Sequence, residues 1–328
     1  MDNEGIRFAD DWIRRQWRHN HCQFSIVNCP FAKEQMEKEG GSVFKDVLLT
    51  VDYDRTLTAT DSTIPQRNIE AIEFFMANGG TFTVNTGRCV PGCRMWQDNV
   101  PRNAPILCYN GAAWYEPKTG ALTNVTGIEV DREEIITAIE EKFPDLTVEI
   151  QGVAACYISK PNPAYEDYAA NVGYTVAYAA PRDIQEPFLK FAVYGSFLSN
   201  QVASLYRATE EELAYYDTVV EFVRQRWGEK VDFFRACARL IDFQAKGISK
   251  ITSARGLQET LGKKILVCVG DAENDATMLD GADYAYCPAD GVVADHYENV
   301  CKCDDGAIAD VIYKKIPEIL GICLDRTE

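Results

Sequence analysis

Positive charge is in short supply in this chain. Its 33 Lys and Arg face 50 Asp and Glu, for a formal net charge of −17. Such an acidic surface repels DNA, RNA and anionic membranes, so neither nucleic acid nor a membrane is expected as a partner. No apolar run approaches the length of a membrane span. The opening Met1-Asp2-Asn3-Glu4 has no apolar signal region, so a cytoplasmic chain is expected. Internal repeats and low-complexity tracts are missing. Histidine is rare, with three residues, and neither Cys89/Cys93 nor Cys301/Cys303 has zinc spacing with histidine partners. His19, His21, Cys22 and Cys29 could gather a metal near the N-terminus, but solvated or packed side chains are the simpler reading. The 12 cysteines, in a chain of 328 residues without a secretion signal, read as reduced thiols, many of them buried.

What the chain does have is two clusters of acids, each at the end of an apolar run. Asp46-Val-Leu-Leu-Thr-Val-Asp52 leads into Tyr53-Asp54-Arg55-Thr56, and Ile265-Leu-Val-Cys-Val-Gly-Asp271 leads into Ala272-Glu273-Asn274-Asp275. Both runs read as buried parallel strands, short and rich in β-branched residues. In an open α/β sheet ligands sit at the carboxyl ends of the strands. Asp52, Asp54, Asp271 and Asp275 are therefore expected at one edge. Acids so crowded repel unless a proton or cation compensates, and an all-oxygen ligand set suits Mg²⁺. This is the outline of a phosphoryl-transfer site, with a small phosphorylated metabolite as its partner.

The rest of the chain frames that site. A short amphipathic helix is expected over Phe8, Trp12, Ile13 and Trp17, with Gly40-Gly41 as its joint to the main domain. A helix after Pro65 with Ile69, Ile72, Phe75 and Met76 on one face, and strands at 81–86 and 105–110, give β-helix-β alternation. Residues 128–243 break the pattern. Helices open at the caps Asp131 and Thr209, and strand-like segments surround Val148, Tyr157, Val176 and Phe191. Alternation then resumes to a final helix near 307–320. The predicted fold is a doubly wound parallel α/β core, Rossmann-like, carrying an inserted α+β cap domain. Its division is an N-terminal extension (1–45), core (46–127), cap (128–243) and core again (244–328).

Four pieces in order resemble the motifs of the haloacid-dehalogenase superfamily, Cof-like subfamily: Asp52-Tyr-Asp54-Arg-Thr56, Thr86-Gly87-Arg88, Gly247-Ile-Ser-Lys250 and Gly270-Asp271-Ala-Glu-Asn274-Asp275. Tyr109-Asn110-Gly111-Ala112 also resembles a Cof-like signature. The resemblance spans residues 47–328 and implies a Mg²⁺-dependent phosphatase of small phosphorylated metabolites, sugar phosphates among them. It implies Asp52 as nucleophile, forming an aspartyl-phosphate, and Asp54 as general acid and then base, its carbonyl also on the metal. It further implies Asp271 as a direct ligand, Asp275 steadying the metal's water shell, and Thr86, Gly87, Lys250 and Asn274 binding the phosphate. Arg88 reads as a structural partner of the acids and Asn110-Gly111 as turn chemistry. The cap tyrosines (Tyr157, Tyr165, Tyr168, Tyr174, Tyr178) read as packing, with one or two facing the site.

Two departures stand out. Arg55 replaces the usual glycine, which would strain a turn that needs φ > 0. Cys287-Pro-Ala-Asp-Gly291 replaces the usual loop after the last motif. Lys250 is preferred to Lys246 as the functional lysine because Ser249 is a natural N-cap, which places Lys250 in the first helical turn. Competing readings are a phosphohexomutase of similar fold, a phospho-regulated receiver domain, and a catalytically idle phosphosugar-binding protein. The receiver would leave Asp54 and the inserted cap unexplained.

Overall fold

The computed structural model describes residues 24–25, 42–195, 208–322 and 324–326. The expected N-terminal helix, the His19/His21/Cys22/Cys29 group and the Gly40-Gly41 joint lie outside them. In chain order the elements are β1 (Val47–Val51), α1 (Gln66–Ala77), β2 (Thr81–Val84) and three short strands, β3 (Ile106–Cys108), β4 (Ala113–Glu116) and β5 (Ala121–Thr123). Next come α2 (Arg132–Lys142), β6 (Thr147–Gln151), β7 (Cys156–Ile158), α3 (Pro163–Asn171), β8 (Val176–Tyr178) and β9 (Lys190–Tyr194). They are followed by α4 (Glu210–Trp227), β10 (Val231–Cys237) and β11 (Leu240–Ala245). The chain then returns through α5 (Lys250–Thr260), β12 (Ile265–Val269), α6 (Ala276–Asp280), β13 (Tyr284–Pro288) and β14 (Glu298–Val300) to helical stretches ending at Leu320.

The predicted α/β class holds. One sheet is all parallel, in the order β14-β13-β12-β1-β2. Its central strands carry the apolar runs, and Leu48, Leu49, Val51, Leu266, Val267 and Val269 are fully covered. Burying such a side chain stabilises the fold by about 1.5–3 kcal/mol. Strands β1 and β12 pair in step from Val47↔Ile265 to Val51↔Val269. That register makes both acidic motifs leave the sheet side by side.

A second sheet, β10-β11-β9-β6-β7-β8, is antiparallel except for its β7–β8 pair, and the chain inserts it between β5 and α5. One face packs α2 and α4 through Ile135, Ile139, Val148, Phe191, Val219, Val223 and Phe243. The helix caps Asp131 and Thr209 accept from Glu134 and Glu212 backbone amides, as their sequence pattern predicts. The hairpin β10–β11, helix α3 and strands β4, β5 and β14 are additions to the sequence reading, and β11 runs past residue 243 to Ala245. The opposite face of this sheet carries Glu149, Gln151, Lys190, Asp242 and Gln244, all buried. Among the described residues, no helix is long and apolar enough to cross a membrane.

Candidate active site

The backbone turns sharply after β1. Asp52 is extended, and Arg55 takes the left-handed conformation at φ 58, ψ 9. Arginine thus occupies a turn that glycine would make without strain. Asp52 N donates to Val269 O, 2.9 Å away, which ties β1 to β12, the strand of the last motif. Thr56 Oγ1 donates to Asp271 Oδ1 at 3.0 Å. Asp275 folds back so that its Oδ2 accepts from the amides of Asp271 and Ala272, both at 3.1 Å. Carboxylate oxygens of Asp52, Asp271 and Asp275 can all lie within 4.8 Å of one another.

Lys250 enters from α5. Ser249 caps this helix with Thr252 in a reciprocal capping box, and Asn85 Nδ2 holds the Lys250 carbonyl at 2.8 Å. The Lys250 ammonium lies 2.5 Å from Asp52 Oδ1 and 2.6 Å from Asp275 Oδ1, with its side chain fully covered. One cation faces three carboxylates. Burial pushes Asp52 up to about 7, with Asp275 and Asp54 adding to the shift and Lys250 opposing it. Burial, together with Asp275 and Asp52, likewise holds Asp271 well above the ordinary carboxyl range. Burial disfavours charge on Lys250, but Asp275 and Asp52 outweigh it and keep the lysine protonated. Fully ionised, the triad would carry more negative charge than its lysine neutralises, and without a further cation Asp52 and Asp271 hold protons instead. A hard divalent cation with oxygen ligands fits that deficit.

Asp54 faces away from the triad. Arg88 donates to it twice, through Nε to Oδ2 at 2.9 Å and Nη2 to Oδ1 at 2.7 Å. Enclosure of Asp54 acts to raise its pKa, but the guanidinium wins and holds the carboxyl below its ordinary range. Arg88 itself lies over the Tyr53 ring, which stacks on Trp96. Thr86 Oγ1 accepts from the Arg88 amide at 3.1 Å, and the Thr86 carbonyl accepts from Asn110 N. Asn110 (φ 53) and Gly111 (φ 101) make the turn that this requires. A Cβ on Gly111 would sit 2.3 Å from the Ser249 carbonyl, so the turn and the start of α5 are in close contact.

These groups surround a cavity of about 220 Å³ between the two sheets. Asp52, Asp54, Thr86, Gly87, Asp271 and Asn274 line it. Lys250 and Asp275 do not; they lie behind Asp52. Lys250 was expected to contact substrate, but its ammonium is enclosed between the Asp52 and Asp275 carboxylates. Of Asp54, only the backbone carbonyl was expected at a metal, so the carboxylate cluster that could hold one is Asp52, Asp271 and Asp275. The Asp54 carboxylate is outside it, bound to Arg88. Lys246 projects outward to Asp232, half-exposed.

The far wall was foreseen only as one or two of the tyrosines named above facing the site. It includes Gln151, Tyr168, Tyr174, Lys190, Tyr194 and Asp242 from the second sheet and the segments around it. Lys190 Nζ lies 2.6 Å from Asp242 and donates to the Gly87 carbonyl at 2.7 Å. Asn110 Nδ2 donates to the same Asp242 oxygen at 2.9 Å. A chain of polar contacts thus runs from the second sheet to the Thr86-Gly87-Arg88 segment. The available signal was period-two polarity inside apolar strands: Val148-Glu149-Ile150-Gln151 and Ile241-Asp242-Phe243-Gln244.

A family model described as haloacid dehalogenase-like hydrolase matches residues 49–312. The chain belongs to the haloacid dehalogenase-like hydrolases. It is thus an enzyme of the hydrolase class, as its motifs imply. The 5-amino-6-(5-phospho-D-ribitylamino)uracil phosphatase YitU of Bacillus subtilis is 22% identical over 256 residues, covering 76% of this chain and 89% of that protein. Two solved structures share the fold. A haloacid dehalogenase-like hydrolase from Bacteroides thetaiotaomicron has a TM-score of 0.67 at 19% identity, covering 83% of this chain and all of that one. The subclass IIB sugar phosphatase BT4131 has a TM-score of 0.63 at 18% identity, covering 84% and 98%.

Proposed function

We propose that this hydrolase cleaves phosphomonoesters of small metabolites, sugar phosphates among them, with Mg²⁺ and through an aspartyl-phosphate on Asp52. One observation carries the reading. Asp52 is the triad member that both borders the cavity and is held from behind by Lys250, 2.5 Å away. Lys250 fixes Oδ1, which leaves Oδ2 to attack phosphorus. Thr86 and the amides around Gly87 receive the phosphate oxygens. Asp54 gives a proton to the leaving alcohol and then takes one from the water that frees phosphate. An arriving phosphate competes for the Arg88 guanidinium, which releases Asp54 to carry that proton. Asp52, Asp271, Asp275 and the Asp54 carbonyl would hold Mg²⁺, which supplies charge neutralisation for the transferring phosphoryl group.

Residues 128–243 act in this reading as the cap, extended in practice to the end of β11, and the Lys190–Gly87 contact is its closed-state latch. The names of YitU and BT4131 support phosphomonoester chemistry. The test is hydrolysis of a generic phosphomonoester such as p-nitrophenyl phosphate. EDTA should abolish turnover and Mg²⁺ restore it, and Asp52→Asn should be inactive but folded. Full turnover in a folded Asp52→Asn variant would refute the assignment.

A further inference from the structure

Two cysteines meet across the seam between the sheets. Cys89 directly follows the Thr86-Gly87-Arg88 segment, and Cys156 opens β7 in the second sheet. Their sulfurs are 3.6 Å apart and both residues are fully buried. A disulfide needs about 2.05 Å between sulfurs, so the two must approach by roughly 1.5 Å to bond. The seam around them is tightly docked. Tyr109 Oη donates to the Gly152 carbonyl at 2.8 Å, and the Tyr174 ring covers Gly92. Cys156 and Leu189 join the apolar cluster of the parallel domain.

We propose that Cys89 and Cys156 form a reversible disulfide that ties the cap to the phosphate-binding segment and halts turnover. The inhibitory consequence rests on the proposed cap function, because product must leave when the cap opens. Intracellular disulfides of this kind are typically transient and redox-sensing. Burial pushes the Cys156 thiol well above its ordinary range, with Cys89 beside it adding to the shift. Oxidation therefore belongs to the open arrangement and condensation to the closed one. With a hydroperoxide as oxidant, the Cys89 thiolate attacks one peroxide oxygen and the O–O bond breaks. In the case of hydrogen peroxide, hydroxide leaves, takes a proton and becomes water, and Cys89 is a sulfenic acid. On closure the Cys156 sulfur attacks the Cys89 sulfur. The S–S bond forms, and the sulfenic hydroxyl leaves with the Cys156 proton as a second water. Two thiols are oxidised and one peroxide is reduced to two waters.

The experiment treats the full-length reduced protein with hydrogen peroxide, maps peptides without reduction and follows phosphomonoester turnover. A Cys89–Cys156 linked peptide is expected, with a loss of roughly tenfold or more in kcat if cap opening limits release, reversed by dithiothreitol. Cys156→Ser, or Cys89→Ala if the first fails to fold, should lose the crosslink and most of the peroxide sensitivity. A different crosslink, over-oxidation without any crosslink, a crosslinked enzyme that turns over normally, or a Cys156→Ser variant inactivated as fast as the parent would each overturn the proposal. The peptide map reads the bond without reference to turnover. A protein that crosslinks but never hydrolyses phosphomonoesters therefore contradicts the assigned function and, with it, the inhibitory role.

Discussion

Replacing Lys250 by alanine should damage the protein far more than replacing Lys246, although only four positions separate them. The Lys250 ammonium is fully covered and lies 2.5 and 2.6 Å from two carboxylates. Removing it leaves Asp52 and Asp275 buried without their cation, at a cost of about 3–5 kcal/mol. Lys246 meets Asp232 at 2.7 Å with 54% of its side chain exposed. Such a pair contributes about 0–1 kcal/mol. In melting temperature the Lys250 variant should lose roughly 6–20 °C, taking about 2–4 °C per kcal/mol for domains of this size. Thermal denaturation followed by circular dichroism, in EDTA at pH 8, measures it. Lys250 opposes the rise of Asp52 to about 7, so in the variant Asp52 holds its proton to higher pH, and protonation softens the loss as pH falls. Adding Mg²⁺ should recover part of it, since the cation opposes the same carboxylates. Turnover by Lys250→Ala should fall about 10²–10³-fold, the scale of losing one preorganised electrostatic group, while Lys246→Ala keeps near-parent kcat. Unchanged melting and turnover in Lys250→Ala would refute the reasoning, and a severe loss confined to Lys246→Ala would move the third motif four residues upstream.

Other outcomes follow from the same contacts. Burial raises the Glu149 carboxyl, and the neighbouring Cys156 and Tyr194 side chains only partly oppose this. The protonated form is therefore the one the fold favours. Its stabilising contribution is complete below the ordinary carboxyl range and is lost as pH rises through the raised value. Glu149→Gln should flatten that dependence and gain more stability at pH 8 than at pH 5 in urea titrations; an equal gain at both would contradict it. Arg88→Lys keeps the charge but cannot form both parallel bonds to Asp54, so kcat should drop about 10²-fold, the scale of a positioned acid–base group, in steady-state assays. Gly111→Ala places a Cβ 2.3 Å from the Ser249 carbonyl at φ 101 and should cost about 1–3 kcal/mol in chemical denaturation.

The core of the site was legible because its acids sit at the ends of strands whose apolar runs are unmistakable. Asp52 and Asp271 needed only the parallel register of β1 and β12 to meet, and that register follows from the fold class. Ser249 and Thr209 were legible for a similar local reason, since capping chemistry is written within four residues. The polar face of the second sheet was harder to read. Lys190 and Asp242 are 52 positions apart and meet because β9 and β11 pair antiparallel, with Ala192 opposite Asp242. Polar residues alternating within apolar strands ordinarily mark a solvated face. Here that face is buried against the segments around Gly87 and Asn110, and only tertiary packing says so. Arg55 was marked as a departure, but its left-handed backbone is a property of the turn. The enclosure of Lys250 likewise depends on where Asp275 folds, which no local pattern specifies.

The central claim is that Asp52 becomes phosphorylated during turnover. Rapid acid quenching of the enzyme with a phosphomonoester and Mg²⁺, followed by mass mapping of the peptide that contains Asp52 and Asp54, tests it directly. A phosphoryl group should appear on Asp52, disappear as substrate is exhausted and never form in Asp52→Asn. A phosphoryl group on another residue, or hydrolysis that proceeds in Asp52→Asn, would contradict it.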